Sequence, residues 1–264
     1  MKAIGVDVGS LTGKIVILEN GKIASQLITK IDDDIEVSVR AAIKTACETT
    51  GFQPGNDDYV VTTGIGGKAV PFATENKAIT TCLARGINRL LPQARMIIDV
   101  GAETCTIVKI NERGRVSDWG NQDKCAAGTG IFLEQMSKLM QLPFEKMAEL
   151  SLQANKAADI TNTCAVFAES EVISHIHRDP PTPKEEVIAG IFASTVSRLM
   201  VICKRVGIQK EVAVTGGVAL NRGIIKQLEK ELGFSVLMPE EPRTVAALGA
   251  AVLAQEGIEK RQNG

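Results

Sequence analysis

A twelve-residue stretch occurs twice in this chain. Asp7-Val-Gly-Ser-Leu-Thr-Gly-Lys-Ile-Val-Ile-Leu18 returns 92 positions later as Asp99-Val-Gly-Ala-Glu-Thr-Cys-Thr-Ile-Val-Lys-Ile110, identical at six of twelve positions without a gap. Each copy follows an apolar run, Ala3–Val6 or Met96–Ile98, and leads on to a glycine turn near Gly21 or Gly114. The pattern predicts strand, tight acidic-glycine turn, strand, turn, strand, once in each half of the chain. Two such hairpins facing each other would hold a phosphate chain between their loops. Backbone N–H groups would grip the oxygens, and Asp7 and Asp99 would face the accompanying metal. The alternative is a pair of similar β-hairpins without a ligand.

A chain of 264 residues with 44% hydrophobic content can bury one large core or two modest ones, and the duplication favours two. The net charge is −1 with no basic cluster, so nothing suggests a nucleic-acid or anionic-membrane partner. No charged-then-apolar leader opens the chain, and no uninterrupted apolar run approaches the roughly 18–20 residues of a membrane span. Six cysteines then read as thiols or metal ligands rather than disulfides. The expectation is a soluble, cytoplasmic protein.

Strand and helix signals alternate along the rest of the chain. Helices are predicted at 35–49, 79–91, 129–140, 143–153, 165–177 and 184–206, and from Thr244 to the end. Strands are predicted at 58–63, running into Thr63-Gly-Ile-Gly-Gly67, at 211–214, running into Thr215-Gly-Gly-Val218, and at 235–238. The alternation argues an α/β architecture in two lobes. Lobe I takes residues 1–93, joined by the C-terminal helix 244–264, and lobe II takes 94–243. The alanine- and glycine-rich segment Val245–Gln255 suits close packing back onto the first lobe.

Other phosphate signatures fail. Gly9–Lys14 is one residue short of a Walker A loop and has Ile15 where Ser or Thr would bind magnesium. No strand leads into a Gly-x-Gly-x-x-Gly turn. Gly216-Gly217 after an apolar strand lets a flat ring or a ribose lie against the backbone. With the duplicated Asp-x-Gly loops, this turn resembles the actin, Hsp70 and sugar-kinase superfamily. That resemblance implies ATP and Mg2+ bound between two related lobes.

Cys47, Cys82 and Cys203 sit on apolar faces of predicted helices and Cys105 in a strand, where small buried hydrophobes belong. Cys125 and Cys164 each precede a helix, where the dipole and unpaired N–H groups stabilise a thiolate. On spacing alone structural cysteines are the favoured reading, and the alternative is an iron–sulfur cluster with four cysteine ligands, two from each chain of a two-fold dimer.

Two longer segments sharpen the choice. Asn121-Gln-Asp-Lys-Cys-Ala-Ala-Gly-Thr-Gly130 and Thr161-Asn-Thr-Cys-Ala-Val-Phe-Ala-Glu-Ser-Glu-Val-Ile-Ser174 resemble signature segments of the 2-hydroxyacyl-CoA dehydratase activators. That family also takes in benzoyl-CoA reductase ATPase subunits and reductases of double-cubane-cluster proteins. Val206-Gly-Ile, Thr215-Gly-Gly-Val-Ala219 and Ala247-Leu-Gly-Ala-Ala251 fit the same pattern.

The resemblance covers essentially the whole chain. It implies a homodimeric, oxygen-sensitive ATPase with one bridging [4Fe–4S] cluster. Fed by a low-potential ferredoxin or flavodoxin, it would drive single electrons into a partner iron–sulfur reductase or dehydratase. Carried over by motif, Cys125 and Cys164 are the cluster ligands, and Asp7, Asp99 and Glu103 are the catalytic groups. Nucleotide contacts fall on Gly9, Ser10, Leu11, Thr12 and Lys14 in the first loop, and on Gly101, Ala102 and Thr104 in the second. Further contacts fall on Gly128, Thr129 and Gly130, and on Gly216, Gly217, Val218 and Asn221.

Two positions depart from the pattern. Glu103 stands where the family usually has Gln, and Ile131 where it usually has Arg. Glu103 could orient or deprotonate water, but its charge would repel phosphate unless a metal intervenes. Both departures lead toward a less common partner, such as a double-cubane system. Lys14 is either a phosphate contact or a solvated strand lysine, and Thr12 and Thr104 either bond phosphate or merely suit a strand. His175 and His177 read as surface or capping residues. A small-molecule kinase of the same superfamily, such as an amino-sugar kinase, and a non-catalytic nucleotide-binding regulator are the competing functional classes.

Overall fold

The computed structural model describes residues 2–48, 58–122 and 129–263. The elements run β1 (Ala3–Val8), β2 (Thr12–Glu19), β3 (Lys22–Lys30), α1 (Ile35–Glu48), β4 (Tyr59–Thr63), β5 (Glu75–Asn76) and α2 (Ile79–Leu90). There follow β6 (Met96–Val100), β7 (Cys105–Ile110), β8 (Val116–Gln122), α3 (Gly130–Met140), α4 (Phe144–Ser151), α5 (Ala165–His177) and α6 (Lys184–Val206). The chain ends with β9 (Val212–Thr215), α7 (Arg222–Leu232) and α8 (Val245–Asn263).

Two sheets share one strand order. The first runs β3-β2-β1-β4-β5 and the second β8-β7-β6-β9. Each Asp-x-Gly segment thus joins a central strand to its neighbour, and the strand on the other side arrives from later in the chain. The α/β class expected from the alternation is the observed one. Two compact units are resolved: Met1–Ile97 with Val108–Asp118 and Pro239–Gly264, and Ile98–Ile107 with Trp119–Met238. The division falls within β6, β7 and β8.

In the first unit, β1 pairs antiparallel with β2 and parallel with β4. The two-residue period of β1 sends Ile4, Val6 and Val8 into one core with Val39, Ala42 and Ile43 of α1. Ala3 goes to the opposite face, into a core with Ala247, Leu248, Ala251 and Ala254 of α8. Gly5 explains the small residues of α8, since a methyl group there would overlap the Ala247 carbonyl. Sheet and helix therefore touch backbone to backbone.

In the second unit α6 is the spine, with α4, α5 and α7 packed on it. Phe192, Ile191, Val196, Leu199 and Cys203 are buried along it. By length and composition alone α6 is apolar enough to cross a membrane, yet 67% of that stretch is buried inside the protein. Its charges lie at the two ends except for Arg198, which interrupts the apolar run.

The strand expected at 235–238 does not form. Leu237 makes a single parallel bridge to Ala213, donating to the Val212 carbonyl at 2.7 Å and accepting from the Val214 N–H at 3.0 Å. The left-handed turn at Gly233 (φ 77°) and Pro239, which has no N–H to donate, leave too few residues to extend the ladder.

Candidate phosphate loops and cysteine sites

The sequence repeat is also a structural one. In the first loop the Gly9 N–H donates to the Thr12 carbonyl at 3.1 Å; in the second, Gly101 N–H donates to Thr104 carbonyl at 2.9 Å. The same three-residue step closes both turns and leaves the intervening residues, Ser10-Leu11 and Ala102-Glu103, at the tip. Leu11 and Glu103 are exposed, while Ser10 and Ala102 are half-buried.

Asp7 lies near the end of β1, 8% exposed, opposite Lys14 in the β1–β2 register. Lys14 Nζ stands 3.7 Å from Asp7 Oδ2 and donates to the Thr12 carbonyl at 3.3 Å. Burial pushes the Asp7 carboxyl above its ordinary value, and the charge and hydrogen bond of Lys14 offset only part of that. Ionising that carboxyl in its desolvated place therefore carries a cost. In the folded chain Lys14 is a residue of β2 and an ion-pair partner of Asp7.

Asp99, half-buried near the end of β6, is held differently. Thr215, the last residue of β9, donates its hydroxyl to Asp99 Oδ1 at 2.7 Å. The next residue, Gly216, adopts φ 86°, and a side chain there would run into the Val100 backbone. Gly217 opens onto free space, whereas Val218 is buried. Asn221 is 3% exposed and caps α7, its Oδ1 accepting from the Gly223 and Ile224 N–H groups at 3.1 Å each. Its amide donates to the Phe144 carbonyl at 3.2 Å, which ties the Gly216–Gly217 turn to α4.

Sequence reasoning missed that the duplication has a third part. Thr63-Gly64 follows β4 as Thr215-Gly216 follows β9, with Gly64 at φ 84° and its missing side chain blocked by Val8 and Asp7. The signal was a Thr-Gly pair after an apolar strand in each half. It lies 56 residues beyond Asp7 but 116 beyond Asp99, because α3 to α6 intervene, so an ungapped comparison could not find it.

Gly130 and Ile131 open α3 and donate their N–H groups to the carbonyls of Gly101 and Ala102, at 2.9 and 2.8 Å. The second loop and the first turn of α3 are therefore one hydrogen-bonded piece. Thr129 is fully buried just before them. Of the two cysteines with predicted ligand roles, Cys125 lies outside the described residues, as does Gly128. Cys164 is half-buried and takes the N-cap position of α5, in extended backbone (φ −143°, ψ 135°).

The residues leading to Cys164 are fastened to one face of α6. Ser194 Oγ donates to the Thr161 carbonyl at 2.7 Å, and the Asn162 amide donates to Ser197 Oγ at 2.7 Å. Arg198 donates to the carbonyls of Asn162 and Thr163, the second at 2.9 Å. From α5, Glu171 accepts the Thr161 N–H at 2.6 Å. Glu169 is half-buried on the same helix. His175 bridges to Thr182 and to the Asp159 carbonyl, so it ties the helix end down.

Cys47, Cys82, Cys105 and Cys203 are buried free thiols, as their positions suggested. Burial pushes Cys82 and Cys203 up to about 12 and Cys105 well above its ordinary value, so none of these three ionises near neutrality. Among the described residues no three His, Cys, Asp or Glu side chains gather to hold a metal.

Two sheets of identical strand order, each with an Asp-x-Gly loop and a Thr-Gly turn from the adjoining strand, define an ATPase-type fold. The chain belongs to the BadF/BadG/BcrA/BcrD ATPase family, which it matches over residues 4–254. It is 37% identical to the activator of lactoyl-CoA dehydratase from Anaerotignum propionicum, over 99% of this chain and 100% of that one. Its fold is similar to the activator of 2-hydroxyisocaproyl-CoA dehydratase from Clostridium difficile, solved with bound ADPNP. That match has a TM-score of 0.91 at 33% identity and covers 100% of this chain and 97% of the other. A ROK family glucokinase from Streptomyces griseus matches with a TM-score of 0.59 at 14% identity, over 97% of this chain and 100% of its own. That likeness shows the fold alone.

Proposed function

We propose that this protein is an ATP-dependent activator, the reductase component that drives single electrons into a partner iron–sulfur enzyme. The partner is a 2-hydroxyacyl-CoA dehydratase, a benzoyl-CoA reductase or a double-cubane-cluster protein, and a low-potential ferredoxin or flavodoxin supplies the electrons. The named relatives support the class, since the activators among them match this chain end to end. In this reading the backbone N–H groups of the two Asp-x-Gly loops grip the phosphates, and Asp7 and Asp99 hold hydrated Mg2+. Glu103, exposed at the tip of the second loop, orients the attacking water.

A [4Fe–4S] cluster is the implied cofactor, with Cys125 and Cys164 as its ligands from each copy of a homodimer. The one ligand within the described residues fits that role. Cys164 begins a 13-residue helix, is partly exposed and lies beside exposed Val166 and Phe167. A thiolate there benefits from the helix N-terminus, and a second copy has access to it. When bound, the cluster supplies a one-electron carrier.

The observation that carries the coupling is the pair of hydrogen bonds from the first turn of α3 to Gly101 and Ala102. Any change of shape in the second loop moves the helix that follows the Cys125 segment. For one electron about 59 mV equals 1.4 kcal/mol, so lowering a potential by some hundreds of millivolts needs several kcal/mol. Nucleotide can supply that only through contacts that differ between states.

Iron and sulfide analysis of anaerobically purified protein tests the assignment. About two irons and two sulfides per chain are expected, as a four-iron cluster shared by two chains requires. Cys125→Ser or Cys164→Ser should remove the brown chromophore, and Cys203→Ser should leave it. A colourless wild-type protein would overturn the reading.

A further inference from the structure

We propose that Thr215 is a positioning residue for Asp99, fixing its carboxylate by a neutral hydrogen bond where Asp7 is fixed by a charge. The inference rests on the reading of Asp99 as part of the ATP-hydrolysing machinery. The 2.7 Å contact from Thr215 Oγ1 to Asp99 Oδ1 is the length of a charge-assisted O–H···O bond. Thr215 is fully buried, and its branched side chain has little rotational freedom. The backbone beside it is pinned where Gly216 lies against Val100. The hydroxyl thus sits where the sheet puts it, and its single proton goes to the carboxylate.

The first half of the chain supplies an internal comparison. Thr63 pairs with Asp7 in the β1–β4 register, precedes a glycine with nearly the same φ, and is equally buried. Yet its hydroxyl has no hydrogen-bond partner of ordinary geometry. The Cys82 thiol, which burial keeps protonated, lies beside it. Asp7 instead faces Lys14 at 3.7 Å. The repeat position that matches Lys14 is Thr106, so the second loop carries no lysine at that place. A hydroxyl orients a carboxylate without adding a charge of its own. The duplicated aspartates are therefore supported differently: Asp7 faces Lys14, and Asp99 accepts a hydrogen bond from Thr215.

The test compares Thr215→Val, Thr215→Ser, Thr63→Val and Asp99→Asn in the full-length protein by steady-state Mg-ATP hydrolysis. Thr215→Val should lower kcat about tenfold, the scale of one hydrogen bond to a charged group. It should also raise the magnesium concentration for half-maximal rate several-fold while the KM for ATP changes little. Thr215→Ser should restore both, and the loss in Thr63→Val should be smaller than in Thr215→Val. If Thr215→Val yields no folded protein, Thr215→Ala repeats the measurement. Wild-type kcat and magnesium dependence in folded Thr215→Val would overturn the proposal, as would an equal loss in Thr63→Val. An active Asp99→Asn would instead overturn the reading of Asp99 itself. An inactive Asp99→Asn beside a fully active Thr215→Val would defeat the positioning role alone.

Discussion

Asp7 shows at one residue how function and stability pull apart. Its carboxyl is raised by burial, with Lys14 compensating only in part. A raised folded-state value means that the stabilising contribution is complete below the unfolded carboxyl range and is lost as pH rises through the folded value. Above the ordinary carboxyl range the buried Asp7 therefore costs stability, and Asp7→Asn should melt higher than the wild type at neutral pH. The advantage should shrink to nothing as pH falls below the ordinary carboxyl range. The same variant should lose Mg-ATP hydrolysis by about a hundredfold or more, on the scale of electrostatic groups removed from active sites. Thermal melts from pH 3 to pH 8 beside hydrolysis rates check both. A variant that is less stable at neutral pH, or that still hydrolyses ATP, would contradict this account.

At the same scale, some side chains were legible from sequence and others were not. The four buried cysteines could be read from helical and strand periodicity. The employment of Asn221 could not, because capping α7 and bracing Phe144 depends on contacts 77 residues apart. The Asp7–Lys14 pair was hidden by an eight-residue strand, β2, in which alternation alone does not say what a lysine faces.

Among the elements, α5 and α6 were legible to the residue, because a cysteine N-cap after Thr161-Asn-Thr163 opens one and Pro183 opens the other. The second loop and α3 act as one piece only because Gly130 permits it. A side chain there would come 3.0 Å from the Gly101 carbonyl and 3.2 Å from Ala102 Cα. Gly130→Val should therefore lift the helix start off the loop and destabilise the protein by about 1–3 kcal/mol, as overpacking does. Amide exchange should rise selectively at Gly101, position 130 and Ile131, and ATP turnover should fall while the fold persists. Unchanged exchange at those amides would mean that the helix start does not hold the loop. Two elements escaped the sequence. The two-residue β5 is too short for any period, and 235–238 carries a strand-like composition but forms one bridge.

Over the whole chain, the duplicated twelve residues announced two sheets of one design, and the strand orders β3-β2-β1-β4 and β8-β7-β6-β9 bear that out. The division into units was less legible, since the first unit gathers three separate stretches and the second two. Contacts of that kind, such as α8 against Gly5 of β1, join positions more than 240 apart and leave only alanine and glycine as their trace. Within the second unit, α3 bonds at its first turn to Gly101 and Ala102, and the residues before Cys164 are fastened to α6, which packs on α7 beyond Gly216–Gly217. ATP state and cluster environment should therefore change together.

The rate at which an iron chelator strips the proposed cluster from the anaerobically purified protein measures that link most directly. The rate with a non-hydrolysable ATP analogue should differ from the rate with ADP by several-fold or more, since a shift of about 1.4 kcal/mol in an opening equilibrium is already tenfold. Identical rates in the nucleotide-free, ADP-bound and analogue-bound protein would contradict it.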